Sequence, residues 1–538
     1  MKKKGIIVTV FFGFILLSST IFIAFPGVDP EENDDSENDP EITITGTPAD
    51  NYLDAERARF CGSSIPQSTS YVQEFPIPTD CTNPLAIVAD YDGNIWFAQT
   101  NTGKLAKFDP ASETFSEFDN PSWPDGARSM MWGIDYAPDG TIWFTDDTFD
   151  SIWKFSTIEE KYDRVAYPSE ENSLPQKLQI DGSQIIVNDF SGNKITFLDP
   201  NLSGDEVNYL SIPSPIDDSF TSGFAIDEND NVWYTNWLLR QGGILVKFNQ
   251  LGYVDSVTNS DEKTLPLLDF IQIYELPPKI FTPNGVVISN DNTIWLADTS
   301  SSSLYNFDPQ TEIFTQYATA DPLLSTYGNQ TGVIKSPNSG PYWIETDDKG
   351  RLVFNEQTAN NISILDPTTQ QLVEYHVPSK NPYWSDCDPG TGMMLSDCGL
   401  AQIFDIAIDG NKIWFTEWVE NNIGVVDTSV SLPLEIQLES NKVTLAPGDS
   451  QHFNFVVSPL SREDLLDVSL VLSTTHDFLT VDLNHGTPES FQLDSDAPRP
   501  IHTTISASED ATPGTYKILL GTQSPDVAIG KFLTVTIE

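Results

Sequence analysis

Basic residues are scarce. Lysine and arginine together number 27 against 79 aspartates and glutamates in 538 residues, a net charge of −52. Binding by phosphate neutralisation needs clustered lysine and arginine, so no nucleic-acid partner is expected. Cysteine is rarer still: four, none in a CxxC pair, beside five scattered histidines. That excludes a cytosolic haem, iron–sulfur or structural-zinc protein. No P-loop, GxSxG elbow or HExxH is present, so three common routes to phosphate, acyl and metalloprotease chemistry are missing. Apolar residues make up 39 % and aromatics 11 %. Such a chain can bury a sizeable core, which excludes disorder of the whole molecule.

Lys2, Lys3 and Lys4 precede an uncharged run of 21 residues from Gly5 to Phe25, long enough to cross a hydrocarbon layer as a helix. Asp29, Glu31, Glu32, Asp34 and Asp35 follow it, which orients the bulk of the chain outward. Residues 1–28 therefore read as a signal anchor or a cleaved signal peptide. The first reading places the protein on the extracellular face of the cell membrane, and the second makes it secreted. Residues 29–50 read as an acidic linker. Export permits disulfides. Loop closure is cheapest between near neighbours, so Cys61 pairs with Cys81 and Cys387 with Cys398. Asn-x-Ser/Thr sequons at Asn201, Asn329 and Asn361 fit an exported surface.

One phrase recurs seven times: Ile95-Trp96-Phe97, Ile142-Trp143-Phe144, Ile185-Ile186-Val187, Val232-Trp233-Tyr234, Ile294-Trp295-Leu296, Leu352-Val353-Phe354 and Ile413-Trp414-Phe415. An apolar run and a turn such as Pro138-Asp139-Gly140 precede it, a hairpin signal. A third run often ends Phe-Asp-Pro or Leu-Asp-Pro, as at Phe108-Asp109-Pro110, and a fourth ends in proline, as at Tyr375-His376-Val377-Pro378. Four strands per unit of this length make a β-propeller blade. The seventh unit lacks its fourth strand, and Val72-Gln73-Glu74-Phe75-Pro76 is a fourth strand with no unit. The expected fold is all-β: a seven-bladed propeller over 51–430, closed by this N-terminal strand.

Ile142-Trp143-Phe144-Thr145-Asp146 and Ile413-Trp414-Phe415-Thr416-Glu417-Trp418, with Asn422-Ile423-Gly424 after it, resemble the streptogramin lyase (virginiamycin B lyase-like) propellers over about residues 71–430. Pro283-Asn284-Gly285 with Leu296-Ala297-Asp298 looks like the gluconolactonase (SMP-30-like) propellers, and that resemblance implies a metal-site role for Asn284. Residues 431–538 contain no tryptophan and several short alternating runs, such as Phe453-Asn454-Phe455-Val456-Val457. They read as an immunoglobulin-like β-sandwich. They resemble modules appended to cell-surface proteins, with spacing or surface contact as the role.

Equivalent positions in a propeller lie at one level around its axis. The residues ending the second strands are Gln99, Asp146, Asp189, Asn236, Asp298, Glu356 and Glu417. Hard cations take oxygen ligands, so Asp298, Glu356 and Glu417 are candidate ligands for Ca²⁺ or Mg²⁺. Glu356 and Glu417 are also candidate catalytic acids. The same side chains can instead accept hydrogen bonds from loop backbones and hold the blades. A second ring reads Leu85, Trp132, Gln176, Ser222, Asn284, Tyr342 and Phe404. The lyase resemblance implies a general-base histidine on this ring in the last blade, where Phe404 stands, and its glutamate at Glu417. A carboxylate without its imidazole partner does not carry the same proton abstraction. Trp132, Asn284, Tyr342, Phe404, Trp237 and Trp418 together would line an aromatic mouth for a small organic molecule or glycan. Three readings follow: a ligand-binding, lyase-like propeller; a metal-dependent lactonase-like hydrolase; and a non-enzymatic cell-envelope or adhesion protein.

Overall fold

The computed structural model describes residues 48–538 except 64, 171, 183, 200–208, 240, 260–264, 324–325, 327–337, 389–397, 461–465 and 495–496. The signal or anchor segment, most of the acidic linker and the sequons at Asn201 and Asn329 lie outside the described residues. Among the described residues no helix is long and apolar enough to cross a membrane.

Seven antiparallel four-stranded units follow one another. Blade one comprises Pro84–Ala89, Ile95–Gln99, Lys104–Asp109 and Thr114–Phe118, paired in that order. Blades two to six repeat this arrangement, beginning at Ile134, Pro175, Phe220, Pro283 and Pro341. In blade seven, Ile403–Asp409, Lys412–Glu417 and Asn422–Asp427 are completed by Val72–Pro76 from the other end of the propeller. The register runs from Val72 opposite Val426 to Pro76 opposite Asn422. This N-terminal strand therefore closes the ring and pairs an edge that would otherwise be open.

The recurrent phrase builds each blade for a local reason. Its tryptophans are buried between neighbouring sheets, with Trp96, Trp143, Trp233, Trp295 and Trp414 all at most 3 % exposed. In blades one and four an aspartate in the preceding turn fixes the hairpin. Asp90 accepts the Asn94 backbone N–H at 2.9 Å and the Trp96 indole N–H at 2.9 Å. Asp227 does the same for Asn231 and Trp233. Blades three, four, six and seven are each joined to the next blade by the residue just before the ring position of the second strand. Thr416 Oγ1 donates to the Leu85 carbonyl, Asn355 Nδ2 to Ile403, Thr235 Oγ1 to Pro283 and Asn188 Nδ2 to Thr221. Each innermost strand of blades one and three to seven carries a register shift near its start, for example between Ile403 and Ile406. Such a bulge re-aims neighbouring side chains.

Residues 434–537 form two packed sheets. One runs Leu434–Leu438, Ser450–Pro459, Arg499–Ala507 and Leu479–Leu483. The other does not stand alone. Its strand Val527–Ile537 pairs antiparallel with the outer strand of blade six, Gln371–His376, from Gln371 opposite Lys531 to Tyr375 opposite Val527. The sandwich thus continues a propeller blade, and Phe532 packs on Tyr317 with ring centroids 5.0 Å apart. Cysteines pair as Cys61–Cys81 and Cys387–Cys398. Asn361 is 4 % exposed inside a blade-six strand, and its side chain is engaged by Glu356 and His376. Its sequon therefore does not lie on the surface, contrary to expectation.

Candidate functional site

The second-strand ring is built into the scaffold. All seven of its side chains are 0 % exposed. Asp146 accepts the indole N–H of Trp153 at 2.9 Å and the backbone N–H groups of Thr148 and Phe149 at 3.2 Å, with the Ser129 hydroxyl close by. Asp189 accepts from the backbone of Leu174 and Gly192. Asp298 accepts from Phe281 and Thr282, and burial pushes its carboxyl up to about 6. Glu356 is bound by Asn361 and Ser363, and Glu417 by Asn422. Among the described residues no group of three His, Cys, Asp or Glu side chains could hold a metal ion. Asp298, Glu356 and Glu417 each serve their own blade and do not fit a shared Ca²⁺ or Mg²⁺. Asn284 donates to Thr299 Oγ1 at 2.7 Å.

Blades one, six and seven share a further arrangement. The ring residue meets a glutamate on the fourth strand. In blade one Gln99 Nε2 donates to Glu117 at 2.6 Å. In blade six Glu356 meets Glu374, and in blade seven Glu417 meets Glu74. Burial, reinforced by the neighbouring acid, holds Glu374 and Glu417 well above the glutamate range. Two carboxylates in contact cannot both ionise, so Glu374 and Glu356 share a proton and Glu417 is driven toward its protonated form. The partners also tie loops together. Glu374 accepts the Ala320 N–H, while Glu74 accepts from Gln67 and from both the N–H and hydroxyl of Ser379.

The axial mouth is filled by aromatic side chains. Trp132 meets Phe404 edge-on at 5.4 Å, and Phe404 meets Trp418 at 5.6 Å. Trp237 packs on Phe190 and Phe220 at one side. Four of the five expected aromatics, Trp132, Trp237, Phe404 and Trp418, are below 5 % exposed. Tyr342 is half-buried, and its hydroxyl accepts from Gln176 of blade three across the axis at 2.8 Å. Over this layer lies the short helix Asp54–Phe60. Phe60 packs edge-on against Trp384 at 5.7 Å and Trp418 at 6.0 Å, and Tyr52 stacks on Phe60 at 4.6 Å. Asn83 donates to the carbonyls of both Phe60 and Trp418, so one amide clamps the cover to the mouth. The chain then turns at Gly62 with φ +57°, where a Cβ would come within 2.5 Å of the Val419 carbonyl. Cys61, immediately before this turn, is bonded to Cys81. Tyr52, Phe60 and Trp384 were not singled out by sequence. The only signal was aromatic residues in a polar stretch just before a cysteine.

A second concavity lies along the axis on the other side of the Gln176–Tyr342 bridge. It encloses about 480 Å³ and is walled by the innermost strands of all seven blades. Asp135, Lys177, Glu345 and Asp405 line it among aliphatic side chains. These residues also escaped the sequence reading. They stand one or three places beyond the second ring, and a charge inside an otherwise apolar first strand was the available signal. Side chains adjacent on a strand leave it on opposite faces, which separates these neighbours. Phe404 joins the mouth cluster while Asp405, next in sequence, lines the channel.

A closed ring of seven four-stranded blades about an axial channel defines a seven-bladed β-propeller. The chain belongs to the virginiamycin B lyase family, whose model matches residues 35–306. The virginiamycin B lyase of Staphylococcus aureus is similar at 18 % identity, over 66 % of this chain and 98 % of that one, with a TM-score of 0.49. A streptogramin B lyase matches at 20 % identity over 66 % and 96 %, also with a TM-score of 0.49. A putative gluconolactonase matches at 10 % over 56 % and 89 %, with a TM-score of 0.34. Comparison with curated proteins returns no match.

Proposed function

We propose that this chain is an exported, non-catalytic member of its family, a propeller–sandwich unit of the cell envelope. The observation that carries this reading is the filled mouth. Phe404, Trp132 and Trp418 pack against one another where the family resemblance implies a catalytic base, and Phe60 and Trp384 close over them. Phe404 offers no proton acceptor, and no histidine stands in its place; the nearest candidate on sequence grounds, His376, is on the outer strand of blade six. Burial lowers His376 to about 4, and it hydrogen-bonds Asn361. The two disulfides and the acidic linker support export. The sandwich strand built into blade six supports a stiff unit that displays one propeller face away from the cell surface.

Incubation of the full-length protein with quinupristin, followed by mass spectrometry, tests the reading. Intact lactone is the expected result. Ring opening by the wild type, absent from a Glu417→Gln variant, would overturn it.

One observation favours a second reading, ligand binding at the mouth once the cover lifts. Among the described residues, the indole N–H groups of Trp237 and Trp418 and Oε1 of Gln176 are buried there without hydrogen-bond partners. A small organic ligand or glycan could satisfy them. Deleting residues 48–63 should then create binding that the full chain lacks.

A further inference from the structure

We propose that the axial channel is a ligand site for a zwitterion with an aliphatic body, a free amino acid or dipeptide held between Lys177 and Glu345. The inference goes beyond the sealed-mouth reading and does not rest on it, because the channel lies on the other side of the Gln176–Tyr342 bridge.

The four charges in the channel are not equivalent. Asp405 is committed to backbone, accepting the Ile87 N–H at 2.9 Å and the Ile406 N–H at 2.9 Å. Asp135 likewise accepts from Ile180 at 2.7 Å and Tyr136 at 2.8 Å. These two acids tie inner strands of neighbouring blades and have little left to offer. Lys177 and Glu345 differ. Among the described residues neither side chain makes a hydrogen bond or an ion pair within 4.0 Å. The Lys177 ammonium stands 5.9 Å from the Phe224 ring centroid, with its stem along Gly223. Its three donors and the two Glu345 oxygens therefore face the channel without direct partners. Burial, set against the mutual attraction of Lys177 and Glu345, holds Lys177 below the lysine range and Glu345 above the glutamate range.

The remaining wall selects the rest of the ligand. Val88, Ile226, Val287, Ile288 and Ile408, each only partly buried, present apolar surface from four blades. A cavity of about 480 Å³ falls in the range used by small molecules. A simple anion would meet three carboxylates, and a simple cation would meet the lysine. A zwitterion answers both free groups at once, carboxylate to Lys177 and ammonium to Glu345, and its aliphatic part covers the apolar wall. Charge-assisted hydrogen bonds of this kind gain strength where water is excluded.

Titration calorimetry of the full-length protein with L-leucyl-L-leucine tests the proposal. Saturable binding with a dissociation constant of about 1 mM or tighter is expected. The doubly capped analogue, N-acetyl-leucyl-leucinamide, carries neither charge and should bind at least about tenfold more weakly. Lys177→Met and Glu345→Gln should each weaken dileucine binding by about tenfold or more, while Lys161→Met on the outer strand of blade two leaves it unchanged. Absence of binding by both dileucine and L-leucine at about 10 mM would overturn the proposal and leave the channel to ordered water. Equal binding of the capped and uncapped dipeptides would overturn it as well. That comparison needs no variant to fold. Because no mouth residue enters these measurements, their failure says nothing about quinupristin turnover.

Discussion

Replacing Glu374 by glutamine should make the protein more stable at neutral and alkaline pH, although it removes a buried hydrogen-bonded acid. Glu374 lies on the outer strand of blade six, 2 % exposed, against Glu356. One of its oxygens, Oε1, accepts the Ala320 N–H at 3.0 Å. An amide keeps that acceptor and supplies an N–H to Glu356, so Glu374→Gln recreates the amide–carboxylate pair that blade one already uses at Gln99 and Glu117. The wild-type pair works only while it holds its extra proton. Burial raises both acids in the folded state, and for Glu374 the neighbouring Glu356 adds to it, so the folded chain binds more protons than the unfolded chain above the ordinary glutamate range. The stabilisation is therefore complete below that range and is lost as pH rises toward the folded values. The slope is about 1.4 kcal/mol per pH unit for each shared proton. Glu417 of blade seven, raised by burial beside Glu74, adds its own slope. Urea unfolding of the full-length protein at pH 5, 6, 7 and 8 measures this directly. Wild type should lose stability across the series, Glu374→Gln should lose less, and Glu374→Gln with Glu417→Gln least. At pH 8 the single variant should exceed wild type by about 1–3 kcal/mol, the scale of one charge-assisted hydrogen bond. Parallel pH profiles for wild type and variants, or a Glu374→Gln protein less stable than wild type at pH 8, would refute the shared-proton account.

Deleting residues 51–80 removes the strand that pairs Val72 through Pro76 with blade seven, so the melting temperature should fall by roughly ten degrees or more, read by circular dichroism. Ending the chain at residue 430 uncovers the outer strand of blade six and the face of Tyr317 that Phe532 covers; light scattering should report association through that edge, and a stable monomer would argue against it. Peptide mapping of protein from a glycosylating secretory host should find Asn361 unmodified, since both Asn361 and Ser363 are buried in one strand; occupancy there would contradict the blade-six packing.

Much of the architecture was legible from local pattern. The recurring Ile-Trp-Phe phrase marks the second strand of each blade, because an apolar residue must alternate faces and a tryptophan fills the space between sheets. The missing last strand and the orphan at Val72–Pro76 predicted closure by counting alone, and short loop separations predicted both disulfides. The site was harder to read. Ring positions at the strand ends can be aligned from the repeat, but whether Asp146 or Glu417 faces solvent, metal or backbone depends on loops from elsewhere in the chain. Asp146 is held by Ser129 and Trp153, and Glu417 by Asn422 and Glu74.

The sequence by itself determined what repeats: strand period, turn chemistry, blade number, ring closure and the two covalent links. All of these are set by residues within a few tens of positions, or by a count that must come out whole. Tertiary structure alone decided what the axis contains. Packing places Phe404 in the mouth cluster and Asp405, next in sequence, in the channel, and the strand pattern alone does not say which side chain goes to which. The cover over the mouth joins Phe60 to Trp384 and Trp418, more than three hundred residues away. The carboxyl pair of blade seven joins residues 74 and 417, and the sandwich joins blade six through a strand that begins at Val527. Contacts of such separation exist only after the ring has closed, because only closure brings the two ends of the propeller to one blade.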